Sequence, residues 1–540
     1  MKSKSKVVVI GLDSATWDII KPWMEKGWLP NIKKMVENGV SATCLSFPPI
    51  TGPAWVSFAT GKNPGKHGIY SFFKVVGNLD EITIVSSKDI KGKTFYEILK
   101  ENGIEPILIN LPVTYPPRIK NSIVITSLLT QGEECVFPPS LKDEFPIFKK
   151  YRVFPSNLID SSRSEADIKE IREIEKIRFE CAKELFLKKK WDFFFYLISG
   201  SDWIQHTYYN DMYYGRVTQD SECVKAFMDF DSYIGWFVNN APPNTNIILM
   251  SDHGASVCKG IFSVNKWLEE EGYLKTTYEK KTKDRGAEEL EISGHKKIII
   301  NVQKWFWFII NNHILFKIAK KVYDKIGRYL PFHLDLRVGI DISHSKAYHV
   351  PNTHGIYIND KKRFKNGIVS EDDYEKIRLE LYEKLKNLKD HEGDYVLDMV
   401  KLKEEIFYGP ELVNAPDILI SSRKYKIWHG IGPKFVFGDF NFQDEYGIFI
   451  AYGPDIKENI NIGTIKIQDI APTILHMFGL PIPDDMDGKV LKEIFKENSE
   501  LFWRYIKYIP SKKLELEKLK IKRVTKKLKE KSTSEKHKTI

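Results

Sequence analysis

Residues Val7 to Leu12 form an unbroken apolar run that stops at Asp13, and no other feature limits the fold of this 540-residue chain as tightly. A strand with one wet face alternates polar and apolar residues. A continuous run belongs to a strand buried on both faces, the usual situation in a parallel sheet covered by helices. Pro106 to Asn110, Ser122 to Thr126, Asp192 to Ile198, Thr245 to Ser251, Asp417 to Ser421 and Ile448 to Tyr452 read as further strands. Helix signals lie between them, as in Asn31 to Glu37, which ends at Asn38 and Gly39, residues suited to stop a helix. This alternation predicts an α/β fold: a large, mostly parallel central sheet flanked by helices.

Ligands of open α/β sheets bind where strands end, and here several strands end in metal-ligating side chains. Asp13 closes the first. The run Ile247 to Met250 leads into Ser251-Asp252-His253-Gly254, where the glycine is expected to let the backbone turn sharply and present both side chains to one point. After Phe193 to Ile198 comes SGSDWIQH, in which Asp202 and His206 stand four apart, on one face of a helical turn. A hydroxyl joins them from FPPITGPAWVSFATGKNPGKHGI: Thr51 precedes Gly52 and Pro53, and proline favours the first helical position. Thr51 then sits at a helix N-terminus, where it reads either as a plain cap or as a nucleophile beside backbone N–H groups that favour alkoxide and phosphate. Each residue alone has an ordinary structural use. Together, five Asp/His ligands and a hydroxyl at strand ends suggest two divalent ions, zinc or manganese rather than calcium.

Charge and cysteine content narrow the setting. Residues 501–540 hold 14 Lys/Arg and 4 Asp/Glu, a balance of +10, so the other 500 residues are formally neutral. Within that basic tail Leu516, Leu519, Val524 and Leu528 keep roughly helical spacing, which suits either a solvated terminal helix or one lying on an anionic membrane surface. The five cysteines are scattered without a CxxC pair, and the N-terminus reads as a strand rather than a signal peptide, so a cytosolic protein, with membrane contact at most peripheral, is expected. Residues 275–345 read as an inserted helical cap, since Asn311, Asn312, His313 and Lys317 interrupt its apolar stretch short of a bilayer span. Residues 127–165 read as a loop-rich excursion near the site. Residues 1–274 and 346–495 would form the catalytic core, with 496–540 the tail. No specific nucleic-acid motif is present.

The chain resembles the alkaline phosphatase superfamily in its type I phosphodiesterase/nucleotide pyrophosphatase branch. The segments that carry the resemblance are GLDSATWDII, PPITGPAWVSFATGKNPGKHGI, LPVTYPP, SGSDWIQH, ILMSDHG, VNKWLEEEGYL and IAYGPDIK, spread from about Val7 to Phe495. The resemblance implies an alkaline-phosphatase-like fold and a two-metal hydrolase of phosphodiester or phosphoanhydride bonds. It further implies that Asp13, Thr51, Asp252 and His253 hold one metal, that Thr51 forms a covalent phospho-threonine, and that Asp202 and His206 hold the other.

Two departures accompany it. Family members usually bring a third ligand to the second metal from a histidine just before the strand read here at Gly447 to Gly453. This chain has GDFNFQDEYG, with Gln443 nearest that place and His429 the closest upstream imidazole. Nucleotide-cleaving relatives often carry Asn three residues after the nucleophile, where this chain has Ala54. Two further readings therefore stand beside the hydrolase of a phosphoester substrate. One is a phosphomonoesterase, phosphomutase or phosphotransferase of the same superfamily; the other is a non-catalytic binding protein with an incomplete metal site. Specificity is expected to reside in residues 127–165 and 275–345.

Overall fold

The computed structural model describes residues 5–132, 134–156, 164–278 and 338–511. Its first strand, Lys6–Leu12, divides its side chains between two cores: Val8, Ile10 and Leu12 enter one, Val7 and Val9 the other, all fully buried. Phe193–Ile198 does the same, with Phe194, Tyr196 and Ile198 on one side and Phe193, Phe195 and Leu197 on the other. Burial on both faces is why these runs are unbroken.

Both belong to a nine-stranded sheet ordered Ile460–Lys466, Val40–Leu45, Tyr446–Tyr452, Thr245–Met250, Lys6–Leu12, Phe193–Ile198, Pro106–Leu111, Ile123–Thr126 and Val136–Phe137. Seven strands run one way, while Tyr446–Tyr452 and Val136–Phe137 run against them. The mostly parallel α/β architecture is the one expected. Pro30–Glu37 is helical as expected, but it ends at Asn38 with φ −114°, outside the left-handed region. Gly39 is required for a different reason: a Cβ there would lie 2.3 Å from the Ala451 carbonyl oxygen.

Two expectations need correction, and one strand has no counterpart among those expected. Ile418–Ser421 is a strand, but it joins a separate four-stranded sheet with Ala347–Tyr348, Gly355–Ile358 and Met399–Leu402. An apolar run reports burial, and a third core supplies it there. Val40–Leu45 lies inside the main sheet although Ser41 and Thr43 break its apolar run. Residues 127–156 are loop-rich as expected but stand away from the site: Val136–Phe137 closes the far edge of the sheet, and Leu141, Phe145 and Phe148 enter a main core. Residues 157–163 lie outside the described residues.

The third core belongs to a lobe that covers the carboxyl edge of the sheet. It contains a three-stranded sheet of Gly254–Ser263 between Lys426–Trp428 and Phe435–Asp444, with the helices Val264–Glu270 and Glu371–Lys386. Most of the cap expected at 275–345 lies outside the described residues; its ends, Thr276–Tyr278 and Val338–Ile340, pair antiparallel. The amphipathic stretch around Leu516 to Leu528 lies outside them too. Before it, Leu501 is buried in a main core and Tyr508–Ile509 pairs with Ile482–Pro483. Among the described residues no helix is long and apolar enough to cross a membrane.

A buried ion pair sets the start of the helix that carries Asp202. Glu175 accepts the backbone N–H groups of Ser199 at 3.1 Å and Gly200 at 2.9 Å, and Arg178 pairs with it at 2.8 Å, both side chains having no solvent exposure. Burial raises the Glu175 pKa against the lowering effect of Arg178. Removing the arginine leaves a buried carboxyl without its counter-charge, which costs about 3–5 kcal/mol. Arg178→Met is expected to lose that much in urea unfolding. Arg216→Ala, which breaks an ion pair with Asp211 whose two side chains are both exposed, should lose less than about 1 kcal/mol. Equal losses would contradict this ranking.

Candidate metal centre

The parallel strands bring their chemistry to one edge. Asp13 follows the first strand, Asp252 and His253 follow Thr245–Met250, and Asp202 lies in the first turn of the helix Gly200–Tyr213. Thr51 opens the helix Thr51–Thr60 beyond Val40–Leu45. That helix starts two residues earlier than proline preference predicts: Thr51 is its first residue, Pro53 its third, and Ile50 its cap at φ −129°. Ile50 makes no side-chain cap bond, and the Thr51 hydroxyl lies instead 3.3 Å from His253 Nε2.

His253 organises the centre. Its Nδ1 is 3.0 Å from the Gly254 carbonyl, which can only accept, so Nδ1 carries the proton and Nε2 presents a lone pair. Around Nε2 stand Thr51 Oγ1 at 3.3 Å, Asp252 Oδ2 at 3.4 Å and Asp13 Oδ1 at 3.8 Å. Ligand atoms of Asp13, Asp202 and His253 all lie within 4.8 Å of one another. Asp13 Oδ1 and Asp252 Oδ2 are buried without a hydrogen-bond partner among the described residues. Buried acceptors facing one another repel, and an uncompensated buried carboxylate costs several kcal/mol. A divalent cation at the focus removes both penalties, so the donor set fits one, and oxygen and imidazole ligands without thiolate suit zinc or manganese.

Asp202 Oδ2 is 3.1 Å from His206 Nε2, as expected one helical turn apart; Asp202 is buried and His206 opens to solvent. Of the two residues considered for a further ligand, Gln443 has its Nε2 3.3 Å from His253 Nε2. His429 stands on the cavity wall with its ring 4.6 Å from that of Trp428 and its carbonyl accepting from Asn265. Gly254 does not supply the sharp turn expected of it. It lies outside the left-handed region and is needed because a Cβ would meet the Tyr446 carbonyl oxygen at 2.1 Å.

Sequence reasoning missed the polar groups that fix these ligands. Ser14, at φ 61°, points its N–H at Asp252 Oδ1, 3.2 Å away. Ser201 Oγ donates to the Asp13 carbonyl at 2.7 Å and Gln205 Nε2 to the Ser14 carbonyl at 3.0 Å. Ser14 and Ser201 sit beside the strand-end acids, the one signal that could have found them. Burial, then the charges of Asp252 and Asp202, holds the Asp13 carboxyl well above its usual range. Burial raises Asp252 as well, against the attraction of His253.

A cavity of about 480 Å³ opens over the centre. Among the described residues its lining comes from 349, 352–354, 398–399, 421–423, 426–429 and 441–446, together with 14, 49–50, 72, 202, 205–206 and 255, and none from 127–165, the first segment expected to set specificity. The described ends of the second, at 275–278 and 338–345, stay off the walls as well. His354 on that wall is half-buried; desolvation pushes its pKa down to about 4, and its Nδ1 has no partner among the described residues.

The family model described as Type I phosphodiesterase / nucleotide pyrophosphatase matches residues 7–439. No curated protein matches the chain. Among solved structures, murine ectonucleotide pyrophosphatase/phosphodiesterase 5 is similar at 16% identity, over 91% of this chain and 100% of that one, with a TM-score of 0.50. An inactive threonine-to-alanine variant of it, in complex with AMP, matches at 15% identity, 91% and 100% coverage and a TM-score of 0.51. Alkaline phosphatase PafA matches at 15% identity over 92% of this chain and 100% of that one, with a TM-score of 0.53. The fold is alkaline-phosphatase-like, as expected.

Raised carboxyl pKa values have a consequence for the metal-free protein. Asp13 and Asp252 bind protons more tightly folded than unfolded, so their contribution to stability grows as pH falls through the raised folded-state values and is lost as pH rises through them. A cation needs the same carboxylates ionised, so Mn²⁺ or Zn²⁺ should raise the thermal midpoint of chelator-stripped protein more at about pH 8 than at about pH 5. Equal stabilisation at both values would contradict the assignment.

Proposed function

The chain belongs to the type I phosphodiesterase/nucleotide pyrophosphatase family, and on that premise we propose that it hydrolyses phosphodiester or phosphoanhydride bonds through a covalent phospho-threonine at Thr51. One observation carries this reading: the Thr51 hydroxyl, free of any cap bond, stands 3.3 Å from His253 Nε2 at the focus of the buried ligands.

Asp13, Thr51, Asp252 and His253 would hold one ion and Asp202 and His206 a second, with zinc the first choice and manganese the other. Bound there, the ions supply Lewis acidity for the threonine hydroxyl, the phosphoryl group and the leaving oxygen. The chain does the rest. The start of the Thr51 helix points N–H groups and the positive end of its dipole toward negative charge, favouring the alkoxide and the phosphoryl group together. As the bond from Thr51 Oγ1 to phosphorus forms, the bond to the leaving oxygen breaks, and a water later cleaves the phospho-threonine to regenerate the hydroxyl. The β-branched side chain of Thr51 restricts its rotamer and so keeps the oxygen aimed.

The AMP in the structure of a neighbour puts nucleotides among the phosphoesters to be tried; Ala54, in place of the Asn of nucleotide-cleaving relatives, argues against them. Gln443, where the family has histidine, favours a second reading, a binding protein with one ion. About two ions per chain together with turnover supports the hydrolase, whereas one ion without turnover supports the binder. Relative rates on mono- and bis-nitrophenyl phosphate separate the diesterase from a phosphomonoesterase or transferase.

Thr51→Ala removes the attacking atom and leaves the Asp and His ligands in place. Turnover should fall on the order of 10³-fold or more with metal content largely kept, and Thr51→Ser should retain measurable turnover. Phosphate trapped on Thr51 by acid quench and read by mass spectrometry is the direct check. A well-folded Thr51→Ala protein working near the parental rate would end the proposal.

A further inference from the structure

Lys426 sits on the cavity wall, without a partner among the described residues. It belongs to the strand Lys426–Trp428, where Ile427 packs toward the covering lobe's core while Lys426 and Trp428 share the opposite face. Its side chain is partly buried and lines the cavity with Asp202, His206 and Gln443. Among the described residues its ammonium has no hydrogen bond and no ion pair. The other long cation on this wall is compensated: Arg423 lies 3.8 Å from Asp444 and its backbone N–H donates to Asp398 at 2.6 Å.

The charges that reach Lys426 are few. Burial lowers its pKa, and Cys258 and Asp202 pull it back up. Burial also pushes up the Cys258 thiol, which keeps it neutral and leaves Asp202 as the charge that balances the ammonium. Asp202, in the reading proposed above, gives its charge to a metal ion. A partly buried ammonium then lacks a counter-charge, a costly state unless something anionic enters the cavity.

We propose that Lys426 is a specificity-determining residue whose ammonium binds a negative oxygen of the substrate beyond the one charge a simple phosphodiester carries. The inference rests on the phosphohydrolase reading and deepens it. The site favours phosphoryl compounds with at least two negative charges next to the centre, whether on a terminal phosphoryl group or on a second phosphate in the leaving group. A monoanionic diester leaves Lys426 unmatched. Charge-assisted hydrogen bonds to phosphate are about twice as strong as neutral ones, so the discrimination should be readable in rates.

The test compares kcat/KM of the metal-loaded protein for p-nitrophenyl phosphate, for a nitrophenyl-capped diphosphate and for bis-p-nitrophenyl phosphate. In Lys426→Met the preference for a multiply charged substrate over the diester should fall about tenfold or more. Lys426→Arg should keep most of it, and the control Lys424→Met, whose ammonium pairs with Asp390 and Asp394, should leave the ratio alone. The first two substrates distinguish a terminal phosphoryl from a leaving-group phosphate. A parallel loss on all three substrates would overturn the proposal, as would an unchanged ratio or a loss of metal from Lys426→Met. If the parent hydrolyses none of them, the phosphohydrolase reading fails, and binding of inorganic phosphate against dimethyl phosphate by calorimetry decides about Lys426. Weaker phosphate binding in Lys426→Met with unchanged dimethyl phosphate binding supports the assignment; equal phosphate binding in parent and variant removes it.

Discussion

Three carboxylates and an imidazole lone pair meet at one buried point, and this convergence is the constraint the rest of the molecule answers. Asp13, Asp202 and His253 could not be kept within 4.8 Å of one another by flexible loops, because each repels the next and each has left water. What keeps them there is a sheet buried on both faces, in which Asp13 and the Asp252–His253 pair continue strands that are hydrogen-bonded neighbours. Glu175 fixes the start of the Asp202 helix, and the left-handed Ser14 aims its N–H at Asp252. The repulsion at the focus is held by the packing of two cores, and it is also what a bound cation would relieve.

The two halves of the site have different origins. The sheet edge supplies the groups that would carry out the reaction, set on strands with little freedom. The lobe with its own core supplies the walls, including His349, His354, Lys426 and Gln443. Such a division allows the walls to change without disturbing the ligands, since function resides in sites placed on a fold rather than in the fold itself.

Legibility in the sequence follows the same division. Asp13, Asp252 and His253 could be read because they directly follow apolar runs, and Asp202 with His206 because a helix repeats its face every fourth residue. Thr51 was found, though proline preference placed the helix start two residues late. Val40–Leu45 escaped because Ser41 and Thr43 interrupt it, and Ile418–Ser421 was placed in the wrong sheet because burial looks alike in every core. Gly39 and Gly254 looked like turn residues, yet each is required by a carbonyl oxygen of the strand Tyr446–Tyr452, far away in sequence. Lys426 and His354 had no signal: they reach the cavity from separate small sheets, at no fixed offset from any ligand.

The reversed strand Tyr446–Tyr452 governs the order in which the chain can be assembled as it is made. It lies between Val40–Leu45 and Thr245–Met250, and the only other neighbour of Val40–Leu45 is Ile460–Lys466. On the ribosome, therefore, Val40–Leu45, with the helix Thr51–Thr60 just after it, has no sheet partner until some four hundred later residues have emerged. Once made, Thr245–Met250 also keeps an open edge until Tyr446–Tyr452 follows, and open edges are where nascent chains pair with the wrong neighbour. The stretch just before it, Phe435–Asp444, pairs with Gly254–Ser263 and brings Gln443 beside His253, so the gap in the sheet and the wall of the site are filled by consecutive stretches of the chain.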